Sequence, residues 1–207
     1  MTKKWIIGDG VHLARAFHAW SSQRPEDGVC KVAISQNVAY EFDLSPLDGL
    51  SPQDGSAFVA INERFGNFKR TELMALVMAR GFKLEAFVST QAFIGPGTKV
   101  GPNAYVAAGA AAGLNCRIGF NAVLLTGALV GDGVTLGPSC WLEPGVVVGD
   151  GAHIGAHCTL RSGAVVAPGV RIGRNCELGW AQRYGADVPD KTIFDPRYDA
   201  PIYTYEA

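Results

Sequence analysis

Every sixth residue from position 94 to position 178 is aliphatic. The series runs Ile94, Val100, Val106, Ala112, Ile118, Leu124, Val130, Leu136, Leu142, Val148, Ile154, Leu160, Val166, Ile172, Leu178, fifteen units in unbroken register. Two residues before each stands a small or β-branched residue, Ala104, Ala122, Val134 and Cys140 among them. A helix repeats near 3.6 residues and a half-buried strand near 2, so a strict six marks a repeat architecture. Such units build a parallel β-helix. Each is a short strand plus a tight corner, three close one triangular coil, and the aliphatic residue points into the prism. Gly97, Asn103, Gly109, Asn115 and Asn121 fall at corners, where φ > 0 suits Gly or Asn. Fifteen units predict five coils, a prism roughly 24 Å long at the usual interstrand spacing.

Ahead of the repeat the pattern is different. Residues 4–7 read as a strand, Gly8-Asp9-Gly10 as a turn, and 11–22 as a helix with Leu13, Ala16, Phe17 and Trp20 on one face. Strands follow at 29–35 and 57–61. A second helix starts at Asn67 or Thr71 and ends at Ala79-Arg80-Gly81, and a last strand covers 84–88. Alternating strands and helices predict a small Rossmann-like α/β domain with a parallel sheet over residues 1–90. The prism then occupies 91–182. Residues 183–207, with Tyr198, Tyr203 and Tyr205, form an extended tail laid over the prism or a neighbouring subunit.

The residue before each aliphatic one points outward. Phe93, Ala111, Leu129, Val147 and Val165 line a first face; Lys99, Arg117, Thr135, His153 and Arg171 a second; Tyr105, Val123, Trp141, Thr159 and Glu177 a third. Two faces are apolar and one is basic. Exposed apolar strips are a liability, so the first and third are expected to pack on neighbouring copies around a threefold axis, leaving the basic face in solvent.

Composition narrows the classes. Hydrophobic residues are 48% and charged residues 18%, with a net charge of −1. This suits a soluble chain with a large core and gives no reason for a nucleic-acid or anionic-membrane partner. No run approaches a membrane span, and the first residues lead into a strand rather than a signal peptide. Five cysteines, an odd number without a secretion signal, suggest reduced thiols and a cytoplasmic protein. Cys140, Cys158 and Cys176 are eighteen apart and fill one inward column. Metal-ligand spacing with histidines is missing, so no metal is expected.

Two features carry candidate chemistry. Gly8-Asp9-Gly10 after the first strand is half of a nucleotide-binding fingerprint, either a phosphate contact at a helix N-terminus or a tight strand-to-helix turn. Glu143 and Arg161, eighteen apart, are neighbours on successive coils, as a surface ion pair or as polar groups beside a cleft.

With Trp5-Ile6-Ile7-Gly8-Asp9-Gly10, the run from 70 to 92 into the first repeat, Thr126-Gly127-Ala128-Leu129-Val130 and Asp187-Val188-Pro189-Asp190, the chain resembles the bacterial hexapeptide-repeat sugar acetyltransferases. These include GDP-perosamine and UDP-4-amino-sugar N-acetyltransferases and the sialic-acid O-acetyltransferase-like group. The resemblance spans nearly all of residues 4–195. It implies a left-handed prism, a homotrimer, acetyl-CoA in the groove between two prisms, and a nucleotide sugar held by the N-terminal domain. By the same resemblance Gly149, Asp150 and Ala167 fall to the acetyl-CoA, and Gly8, Asp9, Gly10 and Thr126 to the nucleotide sugar.

The family's general base is a histidine two places after the Val130 equivalent; here Asp132 stands there. Its CoA loop ends in Pro-Ala; here the C-terminal loop reads Asp195-Pro196-Arg197-Tyr198. Free carboxylates titrate near pH 4 and are weak proton acceptors at pH 7. Three repairs are open: Asp132 serves as base or orients the acceptor, His153 or His157 does so, or an amine acceptor needs no base. His157 occupies a corner where Gly or Asn is usual, whereas His12 and His18 are read as structural or solvent-facing. The expected activity is acetyl-CoA-dependent N-acetylation of a nucleotide-linked amino sugar for surface polysaccharide. The alternative is an inactive relative that binds a nucleotide sugar or scaffolds a polysaccharide-synthesis complex.

Overall fold

A computed structural model describes residues 2–63 and 67–204; Met1 and Tyr205 lie outside them. The order is β1 (Lys3–Gly8), α1 (Gly10–Gln23), β2 (Gly28–Ala33), β3 (Gly55–Ala60), α2 (Phe68–Ala79) and then a run of two-residue strands beginning with β4 (Phe87–Val88). β2, β1 and β3 form a parallel sheet in that order. Its central strand is apolar on both sides, as a covered parallel strand must be. Ile6 joins Leu13, Ala16 and Trp20 of α1, while Trp5 and Ile7 meet Leu73, Met74 and Val77 of α2.

The repeat folds as a left-handed parallel β-helix. Leu124 pairs with Leu142 and Leu142 with Leu160, all three fully buried. The fifteen units form as expected, with positive φ at the Gly and Asn corners. The sheets run further than the repeat. β4 precedes it on the third face, Arg183–Tyr184 extends the first, and Thr192–Phe194 adds another rung to the third. Ile202–Tyr203 then folds back antiparallel on Thr192–Phe194, so the tail closes the end of the prism. Cys116, Cys140, Cys158 and Cys176 are buried inside.

Two expectations need correction. The strand anticipated at 84–88 is divided: Leu84 bridges to Ala57 of β3, while β4 pairs with Tyr105–Val106 and belongs to the prism. The third face is not left for another copy. Tyr105, Val123 and Trp141 are buried against Leu13, Ala16, Trp20 and Phe58 of the same chain. On the first face, Phe93 is 59% and Leu129 47% exposed. On the second, Lys99, Arg117, His153 and Arg171 lie in solvent, as expected.

Candidate active site

A triangular prism has three edges, and the candidate residues divide among them. The edge between the first and second faces carries Asp132, Gly149, Asp150 and Ala167. Asp132 is exposed. Its Oδ1 accepts the Leu114 amide at 2.8 Å, and its own amide donates to Asp150 Oδ1 at 2.9 Å. The two carboxylates thus form a ladder that satisfies corner amides of the neighbouring coil. Each lies over a glycine for want of room: a Cβ on Gly113 would come 2.1 Å from Asp132 Oδ1, and one on Gly131 equally close to Asp150 Oδ1. Gly149 lies under the Pro168 ring. Ala167 is buried in the prism core.

The edge between the second and third faces is a polar column of Asn103, Asn121, Ser139, His157 and Asn175, all at positive φ. Asn103 Nδ2 donates to Asn121 Oδ1 at 2.8 Å, and Asn121 Nδ2 to Ser139 Oγ at 2.9 Å. Against this column lies Arg70 of α2, 2% exposed. Its guanidinium donates to the Asn121 carbonyl, to the Ser139 carbonyl at 3.3 Å and to Asn67 Oδ1 at 3.0 Å, and it sits 5.1 Å from the Trp141 ring centre. Burial pulls its pKa down to about 9. His157 stacks on Phe68 of α2 with ring centres 4.7 Å apart, and its Nδ1 is buried without a hydrogen-bond partner among the described residues. Burial first, then Arg70, lowers its pKa below the ordinary value. The sequence reading set His157 out as a base or a surface residue; the structure makes it half-buried, under a helix.

The edge between the third and first faces meets α1 and the segment after β3. Thr126 lines a cavity of about 420 Å³ there, with Arg15, Tyr105 and Gln23. A second cavity of about 350 Å³ is bounded by Val11, Arg15, Asn62, Glu63, Trp141 and Glu143. Arg161 gathers three carboxylates: Glu143 at 2.7 Å, Glu177 at 2.8 Å and Glu63 at 2.9 Å. Burial opposes its charge, yet these bonds outweigh it and the net shift is upward. The expected Glu143–Arg161 neighbours are therefore half of a larger cluster beside a cleft.

At the head of α1, packing accounts for Gly8 and backbone conformation for Gly10. A Cβ on Gly8 would strike the Ala60 carbonyl at 1.9 Å, and Gly10 adopts φ +63°. Asp9 makes no side-chain capping bond. His12, one turn on, is 1% exposed, wrapped by Phe58, Tyr105 and Trp141, with no hydrogen-bond partner for either ring nitrogen among the described residues.

One chain therefore joins Asp132 with Gly149, Asp150 and Ala167, but holds Thr126 across the first face and His157 on another edge. Arg15, Glu63 and Arg70 were missed. Arg70 lies three and seven residues before Leu73 and Val77, on the buried side of α2, so its spacing carried a signal that its charge concealed.

Two family models match the prism. Residues 133–167 match the bacterial transferase hexapeptide (six repeats), and residues 113–148 the hexapeptide repeat of succinyl-transferase. No curated protein matches the sequence. Among solved structures, an asparagine-for-histidine variant of perosamine N-acetyltransferase from Caulobacter crescentus, in complex with CoA and GDP-perosamine, is 28% identical over 93% of both chains, with a TM-score of 0.81. PerB from the same organism, with the same two ligands, gives 29%, 93% of both chains and 0.82. WeeI from Acinetobacter baumannii is 16% identical over 97% of this chain and 100% of its own, with a TM-score of 0.73, a likeness of fold alone. Among the described residues no helix is long and apolar enough to cross a membrane, and no group of three or more His, Cys, Asp or Glu could hold a metal ion.

Proposed function

We propose that this protein is an acyltransferase that moves the acetyl group of acetyl-CoA to the amine of a nucleotide-linked sugar, working as a homotrimer in the cytoplasm. The observation that carries the reading is the whole-chain likeness, N-terminal domain and prism together, to an enzyme solved with CoA and GDP-perosamine. A prism alone would not suffice, because one fold hosts many chemistries. The bare first face supports the trimer. A second copy against it brings the Asp132 edge of one chain toward the Thr126 edge of the next, which one chain keeps apart. Acetyl-CoA would lie along Gly149, Asp150 and Ala167, and the nucleotide sugar at Gly8–Gly10 and Thr126.

The chemistry suits an amine. The unprotonated nitrogen attacks the thioester carbonyl, the C–N bond forms, the C–S bond breaks, and the CoA thiolate takes up the proton the nitrogen sheds. Asp132, its Oδ1 holding the Leu114 amide, orients the acceptor or relays that proton through its other oxygen. That same bond favours a second reading, a non-catalytic relative that binds nucleotide sugar and keeps Asp132 as a corner residue.

Thiol release from acetyl-CoA in the presence of GDP-perosamine or a UDP-4-amino sugar separates the two. Release that depends on the amino sugar is the expected result. Binding of the sugar nucleotide without release selects the second reading.

A further inference from the structure

The two cavities beside α1 share one side chain. Arg15 lines both the 420 Å³ cavity, with Tyr105 and Thr126, and the 350 Å³ cavity, with Glu63 and Glu143. Those carboxylates are already bonded to Arg161, at 2.9 and 2.7 Å. Arg15 itself is half-buried and makes no ion pair among the described residues. Ser22, Tyr105 and Thr126, each bearing a hydroxyl, line the same cavity. Gln23 braces its wall, donating to the Val88 carbonyl at 2.9 Å and accepting the Thr90 amide at 2.9 Å.

An unneutralised guanidinium in a recess among hydroxyl donors is an anion site in chemical terms. Its planar fork of N–H donors matches two phosphate oxygens at once, and its bonds are charge-assisted. The turn at Gly8–Gly10 is a poorer seat for a phosphate, because Asp9 places a carboxylate at the head of the helix. Arg15 lies five residues beyond Gly10, about 7.5 Å along α1, and Val11 borders the cavity it shares with Asn62.

We propose that Arg15 is the phosphate anchor of this protein: the cleft between α1 and the Thr126 edge takes the diphosphate of a nucleoside diphosphate, with the Tyr105 and Thr126 hydroxyls as further donors. The assignment rests on the nucleotide-sugar reading above and moves its phosphate from the glycine turn to the helix flank. It makes the diphosphate the handle for affinity, indifferent to which base is attached.

The test is calorimetric titration of the full chain with GDP and with UDP. Wild-type protein binds at least one. Arg15→Gln weakens that binding roughly tenfold or more, Arg15→Lys recovers part of it, and Arg117→Gln on the second face leaves it unchanged. Raising the salt weakens wild type more than Arg15→Gln. Thr126→Val, which removes one hydroxyl at nearly constant volume, gives a smaller loss and serves if Arg15→Gln proves misfolded by circular dichroism. Equal binding by wild type, Arg15→Gln and Thr126→Val overturns the anchor and leaves the nucleotide-sugar reading standing. Binding of neither nucleotide by wild type overturns both. Nucleotide binding that depends on Arg15, without acetyl transfer, keeps the anchor and removes the enzyme.

Discussion

The first and third faces of the prism look alike in sequence, and the structure treats them differently. Phe93, Leu129 and Val165 line one; Tyr105, Val123 and Trp141 line the other. The third is sealed by α1, Trp20 and Phe58 of the same chain, so that Trp141 is 3% and Val123 0% exposed. On the first, Phe93 and Leu129 are exposed and Val147 and Val165 half-buried among the described residues. Periodicity reports that a side chain points outward and is apolar. It does not report whether the cover comes from the chain itself or from another copy, because that depends on a domain that shares none of the repeat.

Arg70 gives the widest contrast between the faces. It fastens α2 to the column beside the third face, and replacing it with Met leaves the Asn121 and Ser139 carbonyls and Asn67 Oδ1 buried without their donor. A buried acceptor left without its donor costs about 1–3 kcal/mol. Arg70→Met should lower the urea midpoint accordingly and expose the N-terminal domain to protease ahead of the prism. Leu129→Glu on the first face should leave urea stability of the monomer within about 0.5 kcal/mol but reduce the molar mass seen by light scattering. If Leu129→Glu does not alter the mass, the first face is not the contact between copies and the trimer proposed above loses its support.

How much of this was legible follows from where each constraint resides. The interior needed only register: a six-residue column survives any reading, and Leu124, Leu142 and Leu160 stack as spaced. The covered face needed contacts between residues far apart in the chain, such as His12 with Tyr105 and Trp141, which no local pattern encodes. The site was legible in part. Asp132, Gly149, Asp150 and Ala167 share an edge because they fall eighteen apart or beside such positions. Arg15 was hidden because its distinction, a half-buried cation with no ion pair among the described residues, exists only once Arg161 is known to hold Glu63 and Glu143.

Acid offers a milder way to part the two faces. His12 lies under the third-face cover, and burial first, then Arg70 and Arg15, holds its pKa well below the ordinary 6.5. The groups around it are those two arginines, the rings of Phe58, Tyr105 and Trp141, and Asn62, whose Oδ1 takes the His12 amide at 3.3 Å. Neither ring nitrogen has a hydrogen-bond partner among the described residues. His157, between Phe68 and the column, is lowered by burial first and then by Arg70. Below pH 6.5 the unfolded chain binds protons that the folded chain refuses. Stability is therefore complete above that pH and falls as pH drops below it toward the folded values, for the sealed His12 by up to about 1.4 kcal/mol for each unit of depression and for the half-buried His157 by less. His12→Phe should flatten the urea midpoint between pH 7 and pH 5 by His12's share. A wild-type midpoint independent of pH over that range would mean that neither ring is sealed as described.

The smallest expected effect is at Asp132, on the edge bordering the bare face. Its Oδ1 holds the Leu114 amide, a service an asparagine performs equally well. Asp132→Asn should therefore move stability by less than about 0.5 kcal/mol, while Asp132→Ala, which drops the bond, should cost about 1 kcal/mol. The two variants separate the roles of one side chain. If acetyl transfer falls in Asp132→Asn with the urea midpoint unmoved, the charge serves the reaction and the corner merely holds it in place. If transfer is untouched in Asp132→Asn and stability falls only in Asp132→Ala, the carboxylate is a corner acceptor, and the proton leaves the amine by another route. In that case the bare face still brings two copies together, but without a base at the join, and an amine acceptor becomes a requirement rather than a preference.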